Sequence, residues 1–164
     1  DVGCTNGVVH VIDGVLLPPT VIDMAGIAGL TSLAAAIGRA DMSGAGIATL
    51  LSGEAPGSAT GFTVFAPTNA AFTAIEGTVA GLTNAQVAQV LQYHVLDPVT
   101  FTSPVLSTGL ANGNVNTALG QTAAVNVAVT PPTIDGAAVV PALLDIHVSN
   151  GVVHVLSGVM VPTL

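Results

Sequence analysis

The chain has 164 residues, a length that suits one domain with a single buried core, and its formal net charge is −8. Its one basic side chain, Arg39, stands against nine acidic ones, which argues against nucleic acid and anionic membrane surfaces as partners. Only 6% of residues are charged and 51% are hydrophobic, a balance that favours packing into matrices or fibres over free diffusion in the cytosol.

The opening of the chain is repeated at its end. Residues 5–20 (TNGVVHVIDGVLLPPT) return as residues 149–164 (SNGVVHVLSGVMVPTL), with nine of sixteen positions identical at an offset of 144. This offset is too long for a solenoid repeat and suits one whole domain. We therefore predict that residues 21–164 form one complete domain, and that residues 1–20 are the tail of an equivalent upstream unit or a linking strand.

Helical patterns dominate the first half of the chain. Residues 24–38 are the most apolar stretch, but fifteen residues fall short of the roughly 20 that span a bilayer, so they predict a buried helix and no membrane insertion. Apolar spacing predicts helices over 29–40 and 47–51, and composition predicts a loop over 53–61.

A strand-to-helix transition follows. Residues 62–65 (FTVF) alternate as a short strand that Pro67 stops, and Thr68 can cap a helix running to Ile75. Thr83 and Gln86 form the capping box of a second helix over 84–93.

The second half of the chain has the period of β-strands, which are predicted over 95–97, 115–119, 123–130, 138–140, 145–148, 152–156 and 159–161. Helices come early and strands late. This segregation predicts an α+β fold with a mostly antiparallel sheet, not alternating βαβ units.

Three blocks of sequence resemble the fasciclin-like (FAS1) domain family of secreted and cell-surface adhesion proteins. They are residues 62–72 (FTVFAPTNAAF), residues 93–95 (YHV) and residues 150–155 (NGVVHV) continuing to Pro162, and their order and spacing match over about 22–164. The resemblance implies a wedge of β-sheet with helices packed along it. It also implies that residues 1–19 resemble the closing block of an upstream FAS1 domain, since the family commonly occurs in tandem.

Most residues of these blocks have structural reasons to be there. Aromatic side chains supply much of an aromatic-poor core, Asn69 can bond backbone at the strand-to-helix turn, and an Asn-Gly pair makes a tight hairpin entry. The residues interpreted as structural are Phe62, Phe65, Pro67, Thr68, Asn69, Phe72, Asn150, Gly151 and His154.

Two pairs are candidate contacts with an adhesion partner. The resemblance links Tyr93-His94 to adhesion, although a histidine hydrogen-bonded inside the wedge explains the pair as well. In some animal relatives an Asp-Ile pair just before the closing block is implicated in integrin binding, and Asp145-Ile146 occupies that place with different flanking residues.

No catalytic, cofactor or metal motif is apparent. The four histidines have no His-x-x-x-His spacing, and neither a nucleophile elbow nor a phosphate-binding loop is present, so we predict no enzyme, no cofactor and no metal. Cys4 is solitary and is interpreted as a small buried hydrophobe, with an intermolecular disulfide as the alternative.

These observations predict an extracellular adhesion or matrix module whose partners are cell-surface or matrix proteins or polysaccharides. Self-association through residues 1–20 is a further expectation, because an exposed strand is costly and must pair with its own sheet, a neighbouring chain or an upstream unit. The strand concerned contains Val8, Val9, His10, Val11 and Ile12. The alternative is a binder of an apolar small molecule, such as a lipid or a carotenoid-like pigment.

Overall fold

The computed structural model describes residues 1–52, 61–96 and 107–164. Its helices are α1 (Val21–Ile27), α2 (Thr31–Asp41), α3 (Ile47–Ser52), α4 (Asn69–Ala74), α5 (Glu76–Gly81) and α6 (Asn84–Tyr93). Its strands are β1 (Val2–Cys4), β2 (Gly7–Val9), β3 (Phe62–Pro67), β4 (Gly113–Asn116), β5 (Thr122–Asn126), β6 (Thr133–Ile134), β7 (Ala137–Ala138), β8 (Ile146–Val148) and β9 (Gly151–Leu156).

Two strands far apart in sequence form the centre of the fold. β3 and β9 pair in parallel from Phe62 opposite Gly151 to Pro67 opposite Leu156, and all residues of both strands are buried. β8 pairs antiparallel with the other edge of β9. The free edge of β3 is covered by the chain that leaves α6, where Val95 bridges Val64 and the Leu96 N–H donates to the Thr63 carbonyl at 3.0 Å.

A second sheet lies beyond this centre. β4, β5, β6 and β7 form an antiparallel meander, and a bridge from Val139 to Leu156 connects its end to β9. Apart from β3 with β9, all strand pairs in the described ranges are antiparallel. The predicted α+β fold with a mostly antiparallel sheet is therefore confirmed.

The two central strands separate two apolar clusters. One cluster joins Phe62, Val64 and Val153 to residues of α1, α2, α3 and α6. The other joins Phe65 and Leu156 to the second sheet and to Met160 near the end of the chain. β3 and β9 thus have apolar partners on both faces, which explains why their sequences are nearly continuous runs of apolar residues.

Several boundaries differ from the sequence prediction. Residues 24–38 do not form one helix, because Gly29 has a φ of +67° that ends α1 and lets α2 start at Thr31. α5 was not predicted, since its sequence EGTVAG has two glycines. The helix over 84–93 and its capping box are confirmed.

Strand predictions in the second half are only partly correct. Residues 127–130 and 159–161 are not strands, although apolar residues recur in both, because no strand in the described ranges pairs with them. Cys4 is exposed, so its interpretation as a buried hydrophobe is wrong. Most of the predicted loop (53–60) and Asp97 lie outside the described residues.

None of the helices in the described ranges combines the length and apolarity needed to cross a bilayer.

Candidate functional site

Tyr93 and His94 stand where α6 ends and the chain turns onto the edge of β3. The capping box at Thr83 and Gln86 fixes the start of α6, and buried Val87, Val90 and Leu91 fix the face on which it packs. This rotation points both side chains inward, where Tyr93 is 4% exposed and His94 is 2% exposed.

The His94 imidazole has a partner on each nitrogen. Its Nδ1 lies 2.7 Å from the Val90 carbonyl oxygen and its Nε2 accepts from the Met160 N–H at 3.0 Å. Since Nε2 accepts, Nδ1 must carry the proton and donate to the carbonyl, which requires the neutral ring. Burial, opposed in part by the Val90 bond, lowers the pKa of His94 to about 4.

The Tyr93 hydroxyl is also satisfied internally, because it donates to the Thr122 carbonyl at 3.0 Å. Desolvation, together with the nearby Asp135 carboxylate, raises the pKa of Tyr93. In the structure described, Tyr93 and His94 therefore connect α6 to the second sheet and to the end of the chain, and neither side chain presents a surface to a partner.

Asp145 forms a turn that enters β8. Its φ is +52°, and its carboxylate accepts from the Ser107 N–H at 2.6 Å and from the Ser107 hydroxyl at 2.5 Å. Burial by itself would raise the pKa of Asp145, but the Ser107 bonds and the nearby His154 and His147 outweigh it, so the pKa lies below 3.8. Both carboxylate oxygens are thus engaged within the chain.

β8, which follows Asp145, is an edge strand of the central sheet. Ile146 is half-buried against the helical cluster, whereas His147 is exposed. β9 occupies one side of β8, and no strand in the described ranges pairs with the opposite side. This is the feature of the Asp145-Ile146 region that a partner can reach.

Two asparagines connect distant parts of the backbone. Asn69 donates to the Gly29 carbonyl at 2.9 Å and accepts from the Ser32 N–H at 3.0 Å, so it joins the start of α4 to the start of α2. Asn150 accepts from the Val21 N–H at 2.9 Å and donates to the Leu51 carbonyl at 2.7 Å. Both amides bond backbone that is far away in sequence.

The remaining block residues are located in or beside the two central strands. Thr68 caps α4 by accepting from the Ala71 N–H, and its own N–H donates to Leu156. The Phe65 and His154 rings lie with centroids 5.7 Å apart, while Phe72 is half-buried against the helices. A Cβ on Gly151 would overlap the backbone of Phe62, so only glycine permits this strand approach.

The first nine residues form a hairpin of their own. β1 and β2 pair with Val2 opposite Val9 and Cys4 opposite Gly7, and their side chains are exposed. β8 and β9 pair with Ile146 opposite Val153 and Val148 opposite Gly151. Adding the repeat offset of 144 to the first register gives the second, so the two hairpins have the same pairing.

Residues 10–18 continue from this hairpin without regular structure, and all of them are exposed. His10 contacts Asp1 at 2.5 Å, and their equivalents His154 and Asp145 lie 3.7 Å apart. Residues 8–12 (VVHVI) therefore repeat residues 152–156 of the central strand β9 with one difference, Ile12 in place of Leu156. In the described structure Val8 and Val9 pair only with β1, and His10, Val11 and Ile12 are exposed to solvent.

Two cavities lie next to residues of the sequence blocks. The space beside His94 between the helices and β3 measures about 20 Å³, close to the volume of a single water. A cleft of about 380 Å³ between α2, α4 and α5 contains Arg39, Glu76 and Phe72. Arg39 donates to the Val79 and Leu82 carbonyls there and holds the end of α5.

Among the described residues, no three histidine, cysteine or carboxylate side chains come together as metal ligands would. Ser107 and Met160 were not anticipated from the sequence. Each bonds a partner 38 or 66 residues away, and no local spacing pattern marks such a contact.

Three comparisons with known proteins each found a similar sequence or structure. A family model described as Fasciclin domain matches residues 30–162. Protein sll1483 of Synechocystis sp. is 32% identical over 139 residues, which cover 82% of this chain and 68% of that protein. A solved FAS1 domain pair from the insect cell adhesion molecule Fasciclin I aligns with a TM-score of 0.46 and 20% identity, covering 62% of this chain and 38% of that one.

Proposed function

Because the chain belongs to the fasciclin domain family, whose members are cell-adhesion-type modules, we propose that it acts outside the cell as an adhesion or matrix module. It binds cell-surface or matrix proteins or polysaccharides by non-covalent contact and works in a tandem or polymeric array. The observation that supports an array is the N-terminal hairpin of β1 and β2, which repeats the closing strands β8 and β9 in sequence and in register.

Repetition increases the binding strength of such a module. A contact made by a single edge strand is weak, but linked units raise the effective concentration of the second contact and increase the overall avidity by orders of magnitude. We therefore assign adhesion to the array and expect the isolated unit to bind poorly.

The contact surface we favour is the open edge of β8 with the Asp145 turn beside it. Exposed His147 lies in the middle of this edge, and Ile146 adds a half-buried apolar side chain. Tyr93 and His94 do not belong to this surface, since both are buried and internally bonded.

The charge of the chain limits which partners fit. With a net charge of −8 and one arginine, the surface repels sulfated or carboxylated polysaccharides. Neutral polysaccharides and proteins remain as partners, and their binding should depend little on salt because few charges take part.

The proposal is tested with beads that carry the full chain at several densities. Binding to beads of neutral polysaccharide, beads of sulfated polysaccharide and beads carrying the same chain is measured in low and high salt. We expect capture that rises steeply with density, is absent on the sulfated beads and survives high salt. Capture that depends on sulfation and disappears in high salt would contradict the proposal.

A matched pair of variants tests the surface. His147→Asp puts a carboxylate in the middle of the β8 edge, and Met42→Asp puts one at another exposed position, after α2. We expect the first to reduce capture at least about tenfold and the second to leave it unchanged. An equal loss of capture in both variants would contradict the proposal that the β8 edge is the contact surface.

A second candidate function is the binding of an apolar small molecule such as a lipid. The observation in its favour is the cleft of about 380 Å³ between α2, α4 and α5, which is within the size range of ligand sites and has apolar side chains such as Phe72 and Val79 in its walls. Solvent extraction of the purified protein followed by mass analysis separates the two functions, because a stoichiometric lipophile would favour the binder.

A further inference from the structure

We infer that residues 1–12 are the closing hairpin of a second fasciclin unit that precedes them in the polypeptide, and that the open edge of Gly7–Ile12 receives the unit's equivalent of β3 in parallel. This rests on the proposed array and names the contact that joins its members. The partner strand has the chemistry of Phe62–Pro67: two β-branched residues between two phenylalanines, followed by Ala-Pro.

The first support is the pairing itself. Within the complete unit, β9 is held between β8 on one edge and β3 on the other. In the N-terminal hairpin, β1 takes the place of β8 in the same register, offset by 144 residues. The edge of β2 that corresponds to the β3 side of β9 has no strand against it in the described structure.

The second support is a glycine that the complete unit requires for the close approach of two strands. At Gly151 a side chain would overlap the backbone of Phe62, so the approach of β3 requires glycine there. Its equivalent, Gly7, has no atom within 4 Å of the Cβ position and does not have a positive φ. Gly7 is explained if a strand like β3 comes equally close to it.

The third support is burial. Val152 and Val155 are 1% and 0% exposed, whereas their equivalents Val8 and Val11 are 58% and 81% exposed. Aliphatic residues this exposed along one segment are typical of an interface whose partner is missing. Asn6, the equivalent of Asn150, is likewise available to join the first and third helices of the neighbouring unit.

The occupant is identified by the repeat as well. Residues 5–20 correspond to residues 149–164 at an offset of 144, so the strand that fits this hairpin is the β3 equivalent of a unit like this one. A second copy of this chain fits less well, because its own β3 is already paired along six residues with its own β9.

The test is a tandem protein in which residues 21–144 are placed directly before the complete chain of residues 1–164. The added segment has no closing strands, so it can fold only if residues 1–12 supply them. Hydrogen exchange is followed in the tandem and in the single chain at Val8, His10 and Ile12, whose equivalents in β9 turn their backbone groups toward β3. We expect at least about 100-fold slower exchange in the tandem, approaching that of Val152, His154 and Leu156.

Two glycine variants of the tandem are the controls. Gly7→Val blocks the close approach and should restore fast exchange in the hairpin while the second unit stays protected. Gly3→Val changes the other strand, at a position where the closing hairpin has His147, and should keep the protection.

Each remaining outcome overturns the inference. Fast exchange at Val8, His10 and Ile12 in the unaltered tandem would show that no strand pairs with this edge of the hairpin. Protection found only in dimers, as judged by light scattering at several concentrations, would make a second copy the occupant. Both readouts measure folding, so a failure here is separate from a failure in the bead assay.

Discussion

The Nε2 atom of His94 accepts a hydrogen bond from the backbone N–H of Met160 at 3.0 Å. This bond fastens the last segment of the chain to the C-terminal end of α6, and it exists only while the ring is neutral. The pair that the family resemblance links to adhesion is therefore also a pH-sensitive part of the interior.

We predict that the free energy of unfolding falls as the pH drops from 6.5 to 4. The pKa of His94 is about 4 in the folded protein and 6.5 for an ordinary histidine, so the unfolded chain binds more protons in this window. The loss should reach about 3 kcal/mol. Urea unfolding at a series of pH values measures it. His94→Gln should flatten the dependence and His147→Gln should not.

Replacement of Gly151 by alanine should lower the free energy of unfolding by about 3 kcal/mol or more, because the new Cβ meets the Phe62 backbone, which cannot move aside. Gly38→Ala provides the control. Gly38 is exposed within α2 with nothing near its Cβ position, so alanine there should add about 0.5 to 1 kcal/mol. Equal effects in the two variants, measured by urea unfolding, would contradict this assignment.

Asn150→Ala removes the two hydrogen bonds that join β9 to α1 and α3, and it leaves the Leu51 carbonyl and the Val21 N–H without that partner. We expect a loss of about 2 kcal/mol in thermal or urea unfolding. The repeat supplies the matched variant Asn6→Ala, which lies in the exposed hairpin and should change stability by less than about 0.5 kcal/mol.

Asp145→Asn keeps a residue that tolerates the positive φ of this turn but weakens both bonds to Ser107. The expected loss is about 1 to 2 kcal/mol at pH 7. It should shrink as the pH falls below 3.8, since the lowered pKa stabilises the fold only while the carboxylate is charged. Asp1→Asn, at the equivalent position, should have no effect on urea unfolding, and a loss there as large as at Asp145 would contradict the assignment to Ser107.

Local signals predicted those parts of the fold that depend on neighbouring residues. The capping box at Thr83 and Gln86 located α6 to the residue, and alternation located β9 within one residue. The parallel pairing of β3 with β9 was not predicted, because it joins segments 89 positions apart and nothing in either strand specifies the direction of its partner.

For the site residues, the sequence predicted which side chains matter but did not predict their hydrogen-bond partners. Sequence blocks pointed to His94, Asn69 and Asn150 as residues worth attention, but their partners could not be read from spacing. Gly29, Leu51 and Met160 contribute only a backbone group to these bonds, and a backbone group leaves no mark on residue identity.

The pairing of β3 with β9 also affects when the protein can fold during synthesis. β3 is translated early but receives β9 only after 89 more residues have been added, so the central sheet stays open until the end of the unit leaves the ribosome. In an array of such units, each one would wait for the last strand of its own sequence before it could become stable, and a ribosome that stalled just short of that strand would expose two apolar surfaces to chaperones.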